Sequence, residues 1–357
     1  MRKSRPREAR LPAGLWGAAG LLTLTGVGAA VASELSHRRA LARDPAWHLL
    51  RAPLHGATVS ARSVDGTELH AEVFGPTDAP TLVLVPGWTE ELQVFDLVTR
   101  GLLGRGFRVV SYDLRGQGSS GGAPGLDQAI ERYGEDLAAV LDATCGGRDD
   151  VIVAGHSMGA MVIVAWAGQA GVQRRVRAAA LISTGMSDLV DNMALLPGPI
   201  PEVARREILR VLLASNQPML PLSTPVSRAL SRHMLFGPHA TVAQVAFTEP
   251  MVWRMQPKLR GAAALTMRDL DLTASLPSLT VPTLVVAGDV DRLTPPVHAR
   301  RMVAALPHVA EFLLLPETGH MVPLERPAEL VDSLVALADS VGLRGAVVPK
   351  RASAAAG

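Results

Sequence analysis

The chain has 357 residues, enough for one large α/β domain or two smaller ones with ample core, and at 48% hydrophobic and 19% charged residues it is too apolar to be disordered as a whole. Its formal charge of +2 conceals an uneven distribution: residues 1–45 carry eight basic against three acidic side chains, residues 342–357 add three basic ones, and the body between them is acidic. That balance, without interleaved basic and aromatic residues, excludes a nucleic-acid face on the body, and the single Cys145 excludes an internal disulfide and reads as a helix-end packing residue.

Arg2, Lys3, Arg5, Arg7 and Arg10 precede Leu11 to Ser33, a run without charge that as a helix spans roughly 30 Å. It reads either as a signal peptide cleaved after Ala30-Val31-Ala32 or as an uncleaved N-terminal membrane anchor. The small excess of positive charge before the run places the body outside the cytoplasm. Residues 34–56 read as a polar linker.

Alternation begins at Thr58 to Arg62 and Leu69 to Phe74, which flank Asp65-Gly66 as a β-hairpin. Thr81 to Val85 is a continuous apolar strand ending at Pro86-Gly87-Trp88, followed by a helix from about Glu91 to Leu103. Phe107 to Asp113 is a strand, Leu114 to Ser120 a Gly-rich loop, and Leu126 to Ala143 a helix. Val151 to Ala154 and Val176 to Ser183 continue the strand–helix alternation, with runs apolar along their whole length, as in a parallel sheet buried on both faces. From Gly185 to about Pro277 the pattern becomes Pro-punctuated and amphipathic, for example Glu202 to Ala214 and Thr241 to Met255, and reads as an inserted helical cap. Strands resume at Pro282 to Asp289 and Glu311 to Leu315, with helices Pro296 to Leu306 and Arg326 to Val341. The expected organisation is an N-terminal segment over 1–45, a core over 46–184 and 278–341, a cap over 185–277 and a disordered tail over 342–357.

The organising stretch is Val151 to Met161, in which Gly155-His156-Ser157-Met158-Gly159 turns a buried strand sharply into a helix. In such an elbow the serine is held out at the sheet's edge, and the glycines two positions either side let the two backbones approach. The Met158 N–H and the helix dipole face the place where negative charge develops. A serine nucleophile needs a base and an orienter, and in open α/β sheets these sit beyond the carboxyl ends of the strands. The loop after Pro282 to Ala287 offers Asp289 and Asp291, the loop after Glu311 to Leu315 offers Gly319-His320, and Asp188 after the preceding strand is a further acid. The order Ser157, Asp291, His320 is that of a Ser, acid, His triad. Among the other histidines, His156 reads as packing beside the serine, and His298 and His308 as lying on or near a surface helix. No cluster has metal-ligand spacing and no dinucleotide or phosphate loop occurs, so neither metal nor cofactor is expected; Gly116-x-Gly118 is a turn.

With Gly155–Gly159, Asp113 to Ser119, Gly288 to Asp291 with Pro295, and Gly319-His320, the chain resembles the α/β-hydrolase superfamily over about residues 57–341. The resemblance implies an α/β fold with a mostly parallel sheet and helices on both faces. It selects Asp291 as the acid, leaving Asp289 to loop hydrogen bonding, although some relatives place the acid where Asp188 stands. It also implies an oxyanion hole made by the N–H groups of Met158 and Trp88, with Pro86 where relatives carry histidine. The serine sets the chain apart from epoxide hydrolase and haloalkane dehalogenase relatives, which use aspartate.

The activity so implied is hydrolysis of a small-molecule carboxylic ester, lipophilic in the manner of monoacylglycerol lipases and lysophospholipases. Leu195, Leu196, Ile200, Leu212, Leu213, Met219, Leu220, Met234, Leu235, Phe236, Met251, Trp253 and Met255 are candidates for an apolar acyl channel, each competing with a plain cap-core role. The alternatives on the same triad are a thioesterase, a C–C bond hydrolase or a cofactor-free haloperoxidase-like enzyme, and outside catalysis a ligand-binding member of the fold.

Overall fold

In the computed structural model the apolar, β-branched runs pair into one eight-stranded sheet of spatial order β1-β2-β4-β3-β5-β6-β7-β8. The structure describes residues 32–52, 54–122, 124–169, 176–194, 203–204, 207 and 223–346. Strands β1 (Ala57–Arg62) and β2 (Glu68–Phe74) form the antiparallel hairpin across Asp65-Gly66, and β2 also runs antiparallel to β4 (Arg108–Tyr112). All the others are parallel to their neighbours: β3 (Thr81–Val85), β5 (Val151–His156), β6 (Val176–Ile182), β7 (Thr283–Gly288) and β8 (Val309–Leu315).

Why the central strands are apolar at every position follows from the two cores. Val83, Val110, Val153, Leu181 and Val285 point to one face, where the helices Ile130–Cys145, Met158–Ala167 and Pro296–Ala305 cover them. Their neighbours Leu82, Val109, Ile152, Ile182 and Val286 point to the other, under Asp96–Gly104 and Pro327–Ser340. A period of two thus feeds two cores at once. Cys145 ends its helix fully buried, as expected.

Three expectations need correction. Residues 34–56 are not a linker: residues 32–43 are helical and a second helix spans Pro45–Arg51. Asp44 joins them to the cap, its carboxylate accepting the N–H groups of Ala46 at 3.0 Å and Ala243 at 3.1 Å, while Leu41, Trp47 and Leu54 pack on the core. The helix expected from Leu126 starts at Ile130, because Gly125 and Leu126 both take positive φ (63° and 61°), which an α-helix does not continue through. The tail is pinned as far as Ala346, whose N–H donates to Gly106 at 3.0 Å, with Leu343 buried against the core. Its remainder, 347–357, and most of Leu11 to Ser33 and Glu202 to Ala214 lie outside the described residues. No helix among the described residues is long and apolar enough to cross a membrane. The described cap consists of the helices Leu189–Asn192, Pro225–Leu235, Val242–Arg254 and Pro257–Arg268.

The loop after β4 is held by a fully buried charge. Arg115 makes a bidentate pair with Asp136 through Nε and Nη2, both at 2.6 Å, and reaches Asp65 at 2.9 Å, tying the loop to the hairpin turn and to the helix Ile130–Cys145. Arg115→Met leaves the Asp136 carboxylate buried and unpaired, and is expected to cost about 3–5 kcal/mol in urea unfolding, with much of the loss recovered in Arg115→Met/Asp136→Leu. A second buried carboxyl, Asp96, is pushed up to about 7 from 3.8, chiefly by burial and by Glu72, against the opposing charge of Arg100. The folded state therefore holds a proton that the unfolded chain releases near pH 4, so this group's contribution makes stability fall as pH rises from about 4 to 7. Asp96→Asn should flatten that dependence in unfolding measured at pH 5 and pH 7.5.

Candidate active site

The turn between β5 and the helix Met158–Ala167 places Ser157 at φ 51°, ψ −119°, a conformation that L-residues avoid. Close approach explains its flanking glycines. A Cβ on Gly155 would lie 2.4 Å from the Gly159 carbonyl carbon, and one on Gly159 would lie 2.1 Å from the Val85 oxygen. The turn is fastened to β6 and the residues just after it, with Ser157 N–H donating to Ile182 at 2.8 Å and the Thr184 hydroxyl donating to the Ser157 carbonyl at 2.9 Å. Ser157 itself is half-buried.

Beyond β7 and β8 the structure brings Asp291 and His320 together, with Nδ1 of the imidazole 2.9 Å from the Asp291 carboxylate. That carboxylate also accepts the N–H groups of Leu293 (2.8 Å) and Thr294 (2.9 Å) and the Thr294 hydroxyl (2.8 Å). Burial opposes its charge, but His320 and these donors outweigh burial and hold it below the ordinary carboxylate range. A charged Asp291 can only accept, so His320 Nδ1 carries a proton and Nε2 is left for other chemistry. His320 is fixed from the cap as well: its N–H donates to Leu235 at 2.8 Å, and Glu325 accepts from Gly237 and Gly319 at 2.8 and 3.1 Å.

At the end of β3 the Pro86-Gly87-Trp88 loop abuts the elbow, a Cβ on Gly87 falling 3.1 Å from that of Ser157. The backbone N–H groups of Trp88 and Met158 have no acceptor among the described residues. Trp88 is anchored through its side chain, which donates to the Arg260 carbonyl at 3.2 Å and packs on Met255, Leu259 and Ala263 of the cap.

A family model described as serine aminopeptidase, S33, matches residues 77–327, spanning all of these elements. The chain belongs to this family of α/β-hydrolases. It is similar to the bifunctional esterase/perhydrolase of Acinetobacter calcoaceticus, 25% identical over 76% of this chain and 96% of that one. It is similar also to a non-heme haloperoxidase of Rhodococcus erythropolis, 27% identical over 72% and 90%. Among solved structures, a thermophilic esterase from Thermogutta terrifontis shares the fold with a TM-score of 0.64, at 24% identity over 81% of this chain and 99% of that one.

Other residues singled out in the sequence of this α/β-hydrolase fall elsewhere. Asp188 lies 3.3 Å from Arg301 as an exposed pair and has no hydrogen bond to His320 among the described residues, whereas Asp289 accepts the Thr318 N–H at 3.3 Å, a loop role as expected. His308 is exposed, and His298, on the helix Pro296–Ala305, is buried because its helix turns that side toward Gly185. Phe236, Met251 and Met255 are buried cap or core residues. Met234 packs with Val190, Met193 and Leu293, next to the Asp291 loop. Leu195, Leu196, Ile200, Leu212, Leu213, Met219 and Leu220 lie outside the described residues. No group of metal-ligating side chains occurs among the described residues. A polar cleft of about 450 Å³ opens over the loop after β4, lined by Asp113, Ser119, Arg254 and Gln256 among others and by none of Ser157, Asp291 and His320.

Sequence reading missed three supports of the site. Thr294 lies in the loop after β7 and donates to the Asp291 carboxylate, and Glu325 ends the short helix Val322–Glu325 and accepts backbone N–H groups of two loops, contacts that leave no periodic signal. Glu90, next to Glu91 in the same loop, carries no distinguishing local signal; it accepts the Gly87 N–H at 2.5 Å and contacts His156 at 2.9 Å.

Proposed function

We propose that this α/β-hydrolase cleaves carboxylic esters, preferentially lipophilic ones, by acyl transfer through Ser157. The observation that carries the reading is the His320–Asp291 pair, whose protonated Nδ1 leaves Nε2 as the base, together with a serine held in an elbow at positive φ. Ser157 Oγ attacks the ester carbonyl as His320 Nε2 takes its proton, Asp291 stabilises the resulting imidazolium, and the oxyanion is held by the Trp88 and Met158 N–H groups. Collapse expels the alcohol, which takes the proton from His320. Water, deprotonated in turn by His320, then attacks the acyl-enzyme, and the proton returns to Ser157 as the acid leaves.

The esterase among the relatives supports an ester substrate. A lipophilic acyl group is favoured by the Met193, Met234, Val190 and Leu293 cluster beside the Asp291 loop. The uncharged run Leu11 to Ser33 favours attachment to, or export across, a membrane, with the body outside the cytoplasm. A series of p-nitrophenyl esters from acetate to palmitate tests the substrate class: kcat/KM rising to medium or long chains supports it, and a maximum at acetate overturns the lipophilic part. Deleting residues 1–31 should release the protein from membranes with turnover of soluble esters intact; a full-length chain found in the soluble fraction at its own first residue contradicts the anchor.

A further inference from the structure

Two buried ionisable groups touch this site without a step in the chemistry above. The imidazole of His156, the residue before the elbow serine, is fully buried. Its Nδ1 lies 2.9 Å and 3.0 Å from the two Glu90 oxygens, and its Nε2 lies 2.8 Å from the backbone carbonyl oxygen of His320. With Glu90 ionised, the carboxylate and the carbonyl both accept, so both ring nitrogens donate and the ring is an imidazolium; beside a charged Glu90 a neutral ring would set a lone pair against one of those oxygens. Burial works against the charge, but the Glu90 carboxylate outweighs it and raises the ring above the ordinary histidine range, with smaller help from the His320 carbonyl and Asp291. The Glu90 oxygen at 3.0 Å, Oε2, also accepts the Gly87 N–H, and the rings of His156 and His320 stand 4.9 Å apart.

These contacts form one continuous path: oxyanion loop, Gly87, Glu90, His156, His320 backbone. We propose that the Glu90–His156 ion pair is a positioning device that fixes the Gly87-Trp88 loop and the His320 loop relative to each other on either side of Ser157. The inference rests on reading Ser157 and His320 as nucleophile and base. Pro86 has no N–H to give, and Glu90 holds the loop by accepting the N–H of Gly87. Neither Glu90 nor His156 touches the reacting atoms. Their effect is on placement, where a misfit of about 1 Å can cost about 10²-fold in rate.

Glu90→Gln keeps the shape and leaves an acceptor for Gly87, but removes the charge that makes His156 a double donor. In the full-length protein the rate of Ser157 labelling by a fluorophosphonate probe, and kcat on a short soluble ester, are expected to fall roughly 10- to 100-fold with KM unchanged. His156→Gln should do the same, and the double variant should be no worse than either single one, because both break one connection. If either variant does not fold, nitrogen-15 NMR of histidine in the wild-type protein decides the matter: both ring nitrogens of His156 protonated at neutral pH supports the proposal, and a neutral ring overturns it. Folded Glu90→Gln that labels at the wild-type rate, or losses that add in the double variant, also overturn it. A wild-type protein that does not label at all overturns the nucleophile reading instead, and the positioning role with it.

Discussion

Ser157→Ala is expected to lower kcat on any ester substrate by about 10⁴–10⁶, with KM little changed and the fold intact. The argument is geometric. Ser157 is held at φ 51° by hydrogen bonds on both sides of its own peptide, to Ile182 and Thr184, and alanine can occupy that position without disturbing either. What it removes is the attacking oxygen alone. His320→Ala should cost as much, and the double variant no more than either, because nucleophile and base act as one unit. Stopped-flow or steady-state assays with a chromogenic ester check this, and turnover in Ser157→Ala within tenfold of wild type would remove Ser157 from the mechanism.

Asp291→Asn should lower kcat by about 10⁴ while leaving thermal unfolding nearly unchanged. As a carboxylate, Asp291 can only accept from His320 Nδ1, which puts the proton there and frees Nε2. An asparagine satisfied by the Leu293 and Thr294 N–H groups through its carbonyl would turn its NH₂ toward the ring, reversing the tautomer and blocking the base. The comparison variant is Asp188→Asn, which changes an exposed pair with Arg301 and should leave kcat unaltered. If Asp188→Asn is the damaging one, the acid has been assigned to the wrong strand end.

The fold was legible, and Ser157, Asp291 and His320 could be named as candidates, because their signals are local. Gly155–Gly159 encodes a steric requirement that the structure meets between Val85 and Gly159, and Asp291 and His320 each follow an unmistakable strand. Choosing Asp291 over Asp188 needed either the family pattern or the coordinates, since both follow strands and both are in reach of the sheet's carboxyl edge. Glu90 and His156 were out of reach for a different reason: the contact joins positions 66 residues apart, and each residue alone has an ordinary loop or packing explanation. The helices at 32–43 and Pro45–Arg51 were hidden by the break at Asp44-Pro45, which leaves each too few apolar positions to show a period. In the cap, composition gave helices without saying which apolar side chains face the core, and Phe236, Met251 and Met255 proved to be packing residues.

The measurement that tests the central claim most directly is fluorophosphonate labelling of the full-length protein, with the modified peptide mapped by mass spectrometry, beside the Ser157→Ala variant. An activated serine at the elbow predicts a single stoichiometric adduct on Ser157 that disappears in the variant and slows sharply in His320→Ala. A folded protein that takes no label, or takes it on another serine with equal efficiency in both forms, would contradict the assignment.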